Sequence, residues 1–448
     1  MAANFFDGKF AVFLRLDPSV LHRCVKDTRG VAIMLKNCLA KNYLFLIFAT
    51  PFHPPSLRTM SKVSINKERI KYLLALYRMS EEELLREVSK KLRKVLTWED
   101  IYHDSVPLYV LKRIDRVFNK GLFYYADPIT PKQEKHASVF FRKATFGTNL
   151  NFGARLRVRE FEDLKTRLNT ISKLSDIKLE RRLPVVSIAT EPREFAFEMR
   201  KMVLPLFTND KRTFLKNFIN KLGEQNIFVF EFVDVDSKKN KANVDGFYIH
   251  PNAIVLRRMQ KSFSREIFTL AHELGHYLLD REEIEQVDVA TMSRPDVLVS
   301  EEERWCNTFA YFLLLGEDMA KELDNIPLFD WRNDYGHDLV KQISKETTLS
   351  RLAIFTNLLV QKKLSYRHYI DIKSEMEEQW RQKEYEREIK KAEDKAKGIE
   401  TQGRNPRPIR ADIVADIFTL ALSSGVIGEQ EFCKGMDIKP KEINKFVY

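Results

Sequence analysis

Apolar residues recur at helical spacing along most of this 448-residue chain, and strand-like runs gather only between about residues 227 and 256. Ile65 to Tyr77 reads as one amphipathic helix. Ser80-Glu81-Glu82-Glu83-Leu84-Leu85 opens a second, with a hydroxyl placed to cap its start. Two short helical segments are expected around Pro107 to Asn119, and a longer one over Glu160 to Lys173. Ile227-Phe228-Val229-Phe230-Glu231-Phe232, rich in aromatic and β-branched residues, predicts a strand. Ile267, Phe268, Leu270, Leu274, Leu278 and Leu279 then recur as on a buried helix. Leu339 to Leu364 predicts a helical pair. From Asp371 to Lys397 opposite charges stand three or four apart around few apolar anchors (Met376, Trp380, Tyr385, Ile389), which suits an exposed helix. Gly403-Arg404-Asn405-Pro406-Arg407-Pro408 breaks it. Ile413, Val414, Ile417, Phe418, Leu420 and Ala421 then form the apolar face of a terminal helical module.

These patterns predict a mostly helical α+β protein. Its expected parts are a poorly ordered extension (1–59), a helical domain (60–126), a connector with some helix (127–194) and a central region (195–330). A helical module (331–370), a charged helix with linker (371–408) and a C-terminal helical module (409–448) follow. Met60-Ser61-Lys62-Val63-Ser64 looks like an N-terminus leading into the first helix, so one reading places the true start at Met60.

The chemistry stands inside the apolar helix. His272-Glu273-Leu274-Gly275-His276 is an H-E-x-x-H motif, and histidines four apart lie one turn from each other on the same side of a helix. Both imidazoles can meet one metal ion, and Glu273 can reach a water beside it as general base. A catalytic site needs a third protein ligand. The extended H-E-x-x-H-x-x-G-x-x-H pattern fails, because Leu279 stands at the glycine position and Glu282 at the last histidine. An acidic residue on a following helix is the alternative. In Glu301-Glu302-Glu303-Arg304-Trp305-Cys306-Asn307, Glu303 and Asn307 share a face, whereas Glu301 and Glu302 read as a solvated first turn. Asn307 and Tyr311 are candidates to orient Glu303. Zinc is the default for two histidines and a carboxylate, one ion per chain.

Arg265 to His276, together with Glu303-x-x-x-Asn307-x-Phe309-Ala310 and its following leucines, resembles the ImmA/IrrE family of zinc metallopeptidases. The resemblance spans about residues 195–330. It implies a zincin-like core, active-site helices with a small β-sheet, in which the glutamate four before the asparagine is the third zinc ligand. It departs from the pattern at Gly316-Glu317-Asp318, where the family often has proline. It implies an endopeptidase that cuts a cytoplasmic regulatory protein, a repressor or antitoxin encoded nearby, in stress response or toxin-antitoxin control. Ala253 to Leu256 is expected to pair with an extended substrate by β-addition.

Residues 64–126 resemble a Cro/repressor-type helix-turn-helix domain, with Trp98-Glu99 in place of that family's tryptophan–glutamate pair. That resemblance makes DNA a second expected partner, with Lys90, Lys91, Arg93 and Lys94 near phosphates or bases. The alternative function is therefore a DNA-binding regulator or toxin component whose metal is structural. Seventy-five basic against 63 acidic residues, a net +12, is consistent with such contact. The four cysteines, Cys24, Cys38, Cys306 and Cys433, suggest no disulfide framework and a cytoplasmic location. No run of eighteen apolar residues predicts a membrane span.

Overall fold

The computed structural model describes residues 5–6, 9–10, 62–118, 120–129, 150–233, 241–258, 262–282, 300–326, 334–397 and 408–447. Contacts divide the chain into residues 1–61 and 62–448. In the first unit the described residues are β1 (Phe5–Phe6) and β2 (Lys9–Phe10), an antiparallel pair. The rest of the extension expected over 1–59, and the start at Met60, lie outside the described residues.

The second unit begins with β3 (Lys62–Ser64), which pairs antiparallel with β4 (Ser105–Pro107). Around this pair stand α1 (Glu68–Leu76), α2 (Glu81–Ser89), α3 (Trp98–Ile101), α4 (Leu108–Phe118) and α5 (Leu122–Ala126). They share a core that includes Ile70, Leu73, Leu84, Val88, Ile101, Leu111 and Ile114. Ser80 caps α2 as its sequence predicts. Its hydroxyl accepts from the Glu83 amide and the Glu83 carboxylate accepts from the Ser80 amide, a capping box. One expectation changes here. No helix stands between Ser89 and Trp98, so Lys90, Lys91, Arg93 and Lys94 lie in a turn and loop rather than on a helix that could enter a groove. Lys91 turns left-handed at φ 64. Leu96 N donates to Ser89 Oγ at 3.0 Å, and Arg113 donates to the Val88 and Lys90 carbonyls at 2.9 Å. These bonds satisfy the end of α2 and stop it. Trp98 and Glu99 open the short helix α3.

The stretch expected as a connector holds α6 (Phe152–Leu174), and the buried side of this helix belongs to the core on one face of the central sheet. Its buried Val158, Phe161, Leu168 and Ile171 pack with Phe228, Phe230 and Phe232 of β5 (Phe228–Val233). Phe161 stacks on Phe230 with ring centroids 5.6 Å apart. At its other end Arg155 donates to the Arg78 carbonyl and pairs with Glu83 at 3.0 Å, tying the first helices to the same body.

β5, β6 (Gly246–Ile249) and β7 (Ala253–Arg258) form a sheet in the order β5-β7-β6. β5 runs parallel to β7 and β6 antiparallel to it. Side chains alternate strictly between its faces. Phe228, Phe230, Phe247, Ala253 and Val255 face α6 and α15 (Asp412–Ser423). Val229, Tyr248, Ile254 and Leu256 face the opposite core. That second core is built by α7 (Pro192–Val203), α8 (Lys211–Glu224), α9 (Phe263–Leu279), α10 (Glu301–Leu315) and α11 (Glu317–Asp324). The expected module 331–370 supplies α12 (Asp334–Glu346) and α13 (Arg351–Val360), whose Val340, Ile343, Ile354 and Leu358 join this core. α14 (Tyr366–Ala396) starts there with Tyr369 and Ile372, and beyond Met376 its described side chains are mostly exposed, as its charge pattern predicts. The C-terminal module holds α15, α16 (Glu429–Met436) and α17 (Asn444–Val447). Ile417, Phe418 and Ala421 are buried as expected, but Leu420 is 45% exposed and leaves the predicted apolar face.

Candidate metal centre

α9 begins where Ser262 accepts from the Arg265 amide and ends at Asp280, which turns left-handed at φ 53. His272, Glu273 and His276 are all almost wholly buried. α10 starts on Ser300, whose hydroxyl accepts from the Glu303 amide at 3.1 Å. The two helices cross very closely, and a glycine makes that possible. A Cβ on Gly275 would lie 3.0 Å from Cys306 Sγ and 3.1 Å from Cys306 Cα. Cys306 is one turn after Glu303, so the crossing delivers Glu303 to the two imidazoles.

His272 Nε2 and His276 Nε2 are 3.0 Å apart. Glu303 Oε2 lies 3.2 Å from His272 Nε2, and Glu303 Oε1 lies 3.0 Å from His276 Nε2. Ligand atoms at zinc bond lengths of about 2.0–2.1 Å in a tetrahedron are separated by about 3.3 Å, so a small divalent cation fits with shifts of a few tenths of an ångström. The three residues bring together two nitrogens and a carboxylate that could hold a metal ion. Their mutual hydrogen bonding is poor: Glu303 Oε1, Glu273 Oε2 and both Nδ1 atoms have no hydrogen-bond partner. Buried polar atoms that converge without satisfying one another are the expected state of a cation cage.

The electrostatics agree. Burial alone would raise the Glu303 carboxyl, but the facing His272 and His276 outweigh it and hold it well below the usual carboxylate range. Burial raises the Glu273 carboxyl to about 7, against the lowering pull of His276 and His272. A backbone hydrogen bond from Tyr248 also lowers it. Burial pushes the Cys306 thiol up to about 11, which keeps it neutral near pH 7.

Residues 230–326 match the family model Peptidase_M78, described as the IrrE N-terminal-like domain. The match points to a metallopeptidase of the IrrE/ImmA type. It spans β5 through α11 and therefore includes all three potential ligands and Glu273. No curated protein and no solved structure matches the chain.

Asn307 is buried one turn after Glu303. Tyr311 lies two turns along. Its phenol is raised by burial, and the charges acting on it are Asp324 and Arg193 rather than any group of the triad. The basic residues of the loop after α2 lie beside the core of the first helices, with Lys91, Arg93 and Lys94 exposed and Lys90 half-buried, and that core is a cluster separate from the one around the triad. The strand expected to receive a substrate also changes. β7 is paired on both sides, so Ala253 to Leu256 has no free edge, whereas β5 and β6 are the sheet's two edges among the described residues. Local sequence does not encode strand order, so it cannot tell this central strand from the edge strands beside it. Three residues absent from the sequence argument shape the site. Gly275 and Cys306 set the crossing, and a Cβ on Gly246 would lie 3.1 Å from Glu273 Cγ, so this glycine lets β6 approach the base. The glycine inside the H-E-x-x-H motif was the available signal for the first.

Proposed function

We propose that the chain is a zinc-dependent endopeptidase that cleaves a regulatory protein, a repressor or antitoxin, in the cytoplasm. The observation that carries this reading is one buried cluster of His272, His276 and Glu303 with Glu273 beside it. When bound, a divalent cation supplies Lewis acidity to a peptide carbonyl and lowers the pKa of water. His272 and His276 would hold it as neutral rings, and Glu303 would bring one negative charge. Glu273 takes the proton from the attacking water and passes it to the leaving amine. Its carboxyl, raised by burial and drawn down again by a nearby cation, is suited to both transfers. An extended substrate pairs along β6, whose Tyr248 amide is near Glu273. Asn307, buried one turn from Glu303, steadies that carboxylate.

Glu273→Gln tests the reading against the protein encoded beside it. Cleavage is expected to fall by about 10²–10⁴-fold while zinc content stays at one per chain. Undiminished cleavage by the variant removes Glu273 as the base.

A second reading rests on the exposed Lys91, Arg93 and Lys94. In it the first helices bind DNA and the metal serves structure. Gel shifts over a salt series decide it, because each phosphate contact contributes a slope of about −0.9 in log K against log salt. No binding at low salt ends this reading.

A further inference from the structure

Arg258, the last residue of β7, is only 1% exposed. Its Nη1 donates to Glu231 Oε1 on β5 at 2.5 Å, and its Nε donates to Glu266 Oε2 on α9 at 2.9 Å. Glu231 has a second oxygen. It accepts from the backbone amides of Ile409 at 2.5 Å and Arg410 at 2.9 Å, at the entrance to the C-terminal module. Arg410 donates to the Asp437 carbonyl, and the Asp412 amide donates to Asn220 Oδ1 on α8. The C-terminal module is thus seated on a buried carboxylate whose other oxygen belongs to the network under the metal-site helix.

A buried carboxylate oxygen that loses its donors is costly. The seating of Ile409 and Arg410 and the order of the Glu231–Arg258–Glu266 cluster therefore support each other. Glu266 is six residues before His272 on one continuous helix. Its neighbour Arg265 pairs with Asp245 at 2.7 Å, next to Gly246, against which Glu273 lies. Both contacts fix the first half of α9 relative to the sheet, and so fix where His272 and Glu273 stand.

We propose that the C-terminal module, residues 408–447, is a latch whose docking on Glu231 is thermodynamically coupled to metal binding at His272, His276 and Glu303. The proposal rests on the metal-site reading above. Coupling is reciprocal: a cation that orders α9 tightens the latch, and a seated latch raises cation affinity.

Hydrogen–deuterium exchange on the full chain, with and without zinc, tests it. In the natural protein zinc should slow exchange in α9, in α10 and also in residues 408–447. Ile409→Pro removes one amide donor to Glu231 Oε2 and changes no charged side chain. In that variant zinc should still slow α9 and α10, but no longer 408–447. Its zinc affinity, from chelator competition, should fall by about fivefold or more, the lower end of ordinary coupling between sites. Glu231→Gln should act in the same direction. If zinc slows α9 and α10 but leaves 408–447 unchanged in the natural protein, the latch is overturned and the metal site stands. Equal slowing of 408–447 in the natural chain and both variants overturns it as well. If zinc slows none of these segments, the metal-site reading and the latch fall together.

Discussion

Gly275→Ala isolates the helix crossing that assembles the site. The added methyl would lie 3.0 Å from Cys306 Sγ and 3.1 Å from its Cα and Cβ. Carbon pairs prefer about 3.5–4.0 Å, so α10 must retreat by roughly 0.5 Å or α9 must rotate. Two stability effects then oppose each other. Overpacking costs about 1–3 kcal/mol, while replacing a mid-helix glycine by alanine gains about 1 kcal/mol. The net destabilisation is about 0–2 kcal/mol, and the chain stays folded. The metal site is less tolerant, because ligand distances are held to about ±0.2 Å. Glu303 moves with Cys306 by more than that. Zinc affinity is therefore expected to fall by about 10–100-fold, the scale seen when groups that orient metal ligands are disturbed. Chelator competition measures the affinity and thermal unfolding without metal measures the fold. A variant that binds zinc as tightly as the natural chain refutes the claim that the close crossing sets the site.

Glu303→Gln should weaken zinc binding by more than about 100-fold, beyond the loss typical of outer partners. Unchanged zinc affinity, measured by dialysis, would exclude Glu303 as a ligand. Zinc binding should also release protons near neutral pH. Burial lowers His276, but its Cys306 and Glu303 neighbours outweigh it and leave it raised, so the metal must displace a proton to reach a neutral ring. Calorimetry in two buffers of different ionisation heat detects this, and equal heats would contradict it. The base must be ionised, so kcat/KM should rise with pH through the Glu273 midpoint. Burial places that carboxyl at about 7 and a cation draws it lower, so the acidic limb should have its midpoint below 7. A profile still climbing above that point would argue against Glu273.

The centre was legible because its information is local. Histidines four apart define a face of α9 in any context, and the glutamates after Ser300 start a capped helix wherever it packs. The capping box at Ser80 and Glu83 is equally local. What sequence missed depends on distant partners. The loop after Ser89 resembles a basic helix by composition, yet its end is set by Arg113, more than twenty residues away. α6 resembles a connector until Phe230 and Ile417 cover its buried side. Ala253 to Leu256 looks like a strand, and is one, but only the sheet order excludes it as an edge.

The two helices that carry the three candidate ligands are clamped by aliphatic and aromatic packing from α7 and α8 as well as by each other. Small zinc modules need their ion to collapse at all, because they have little else to bury. Here the cage walls are supported from outside. Filling such a cage with a cation would thus be an event separable from making the polypeptide compact.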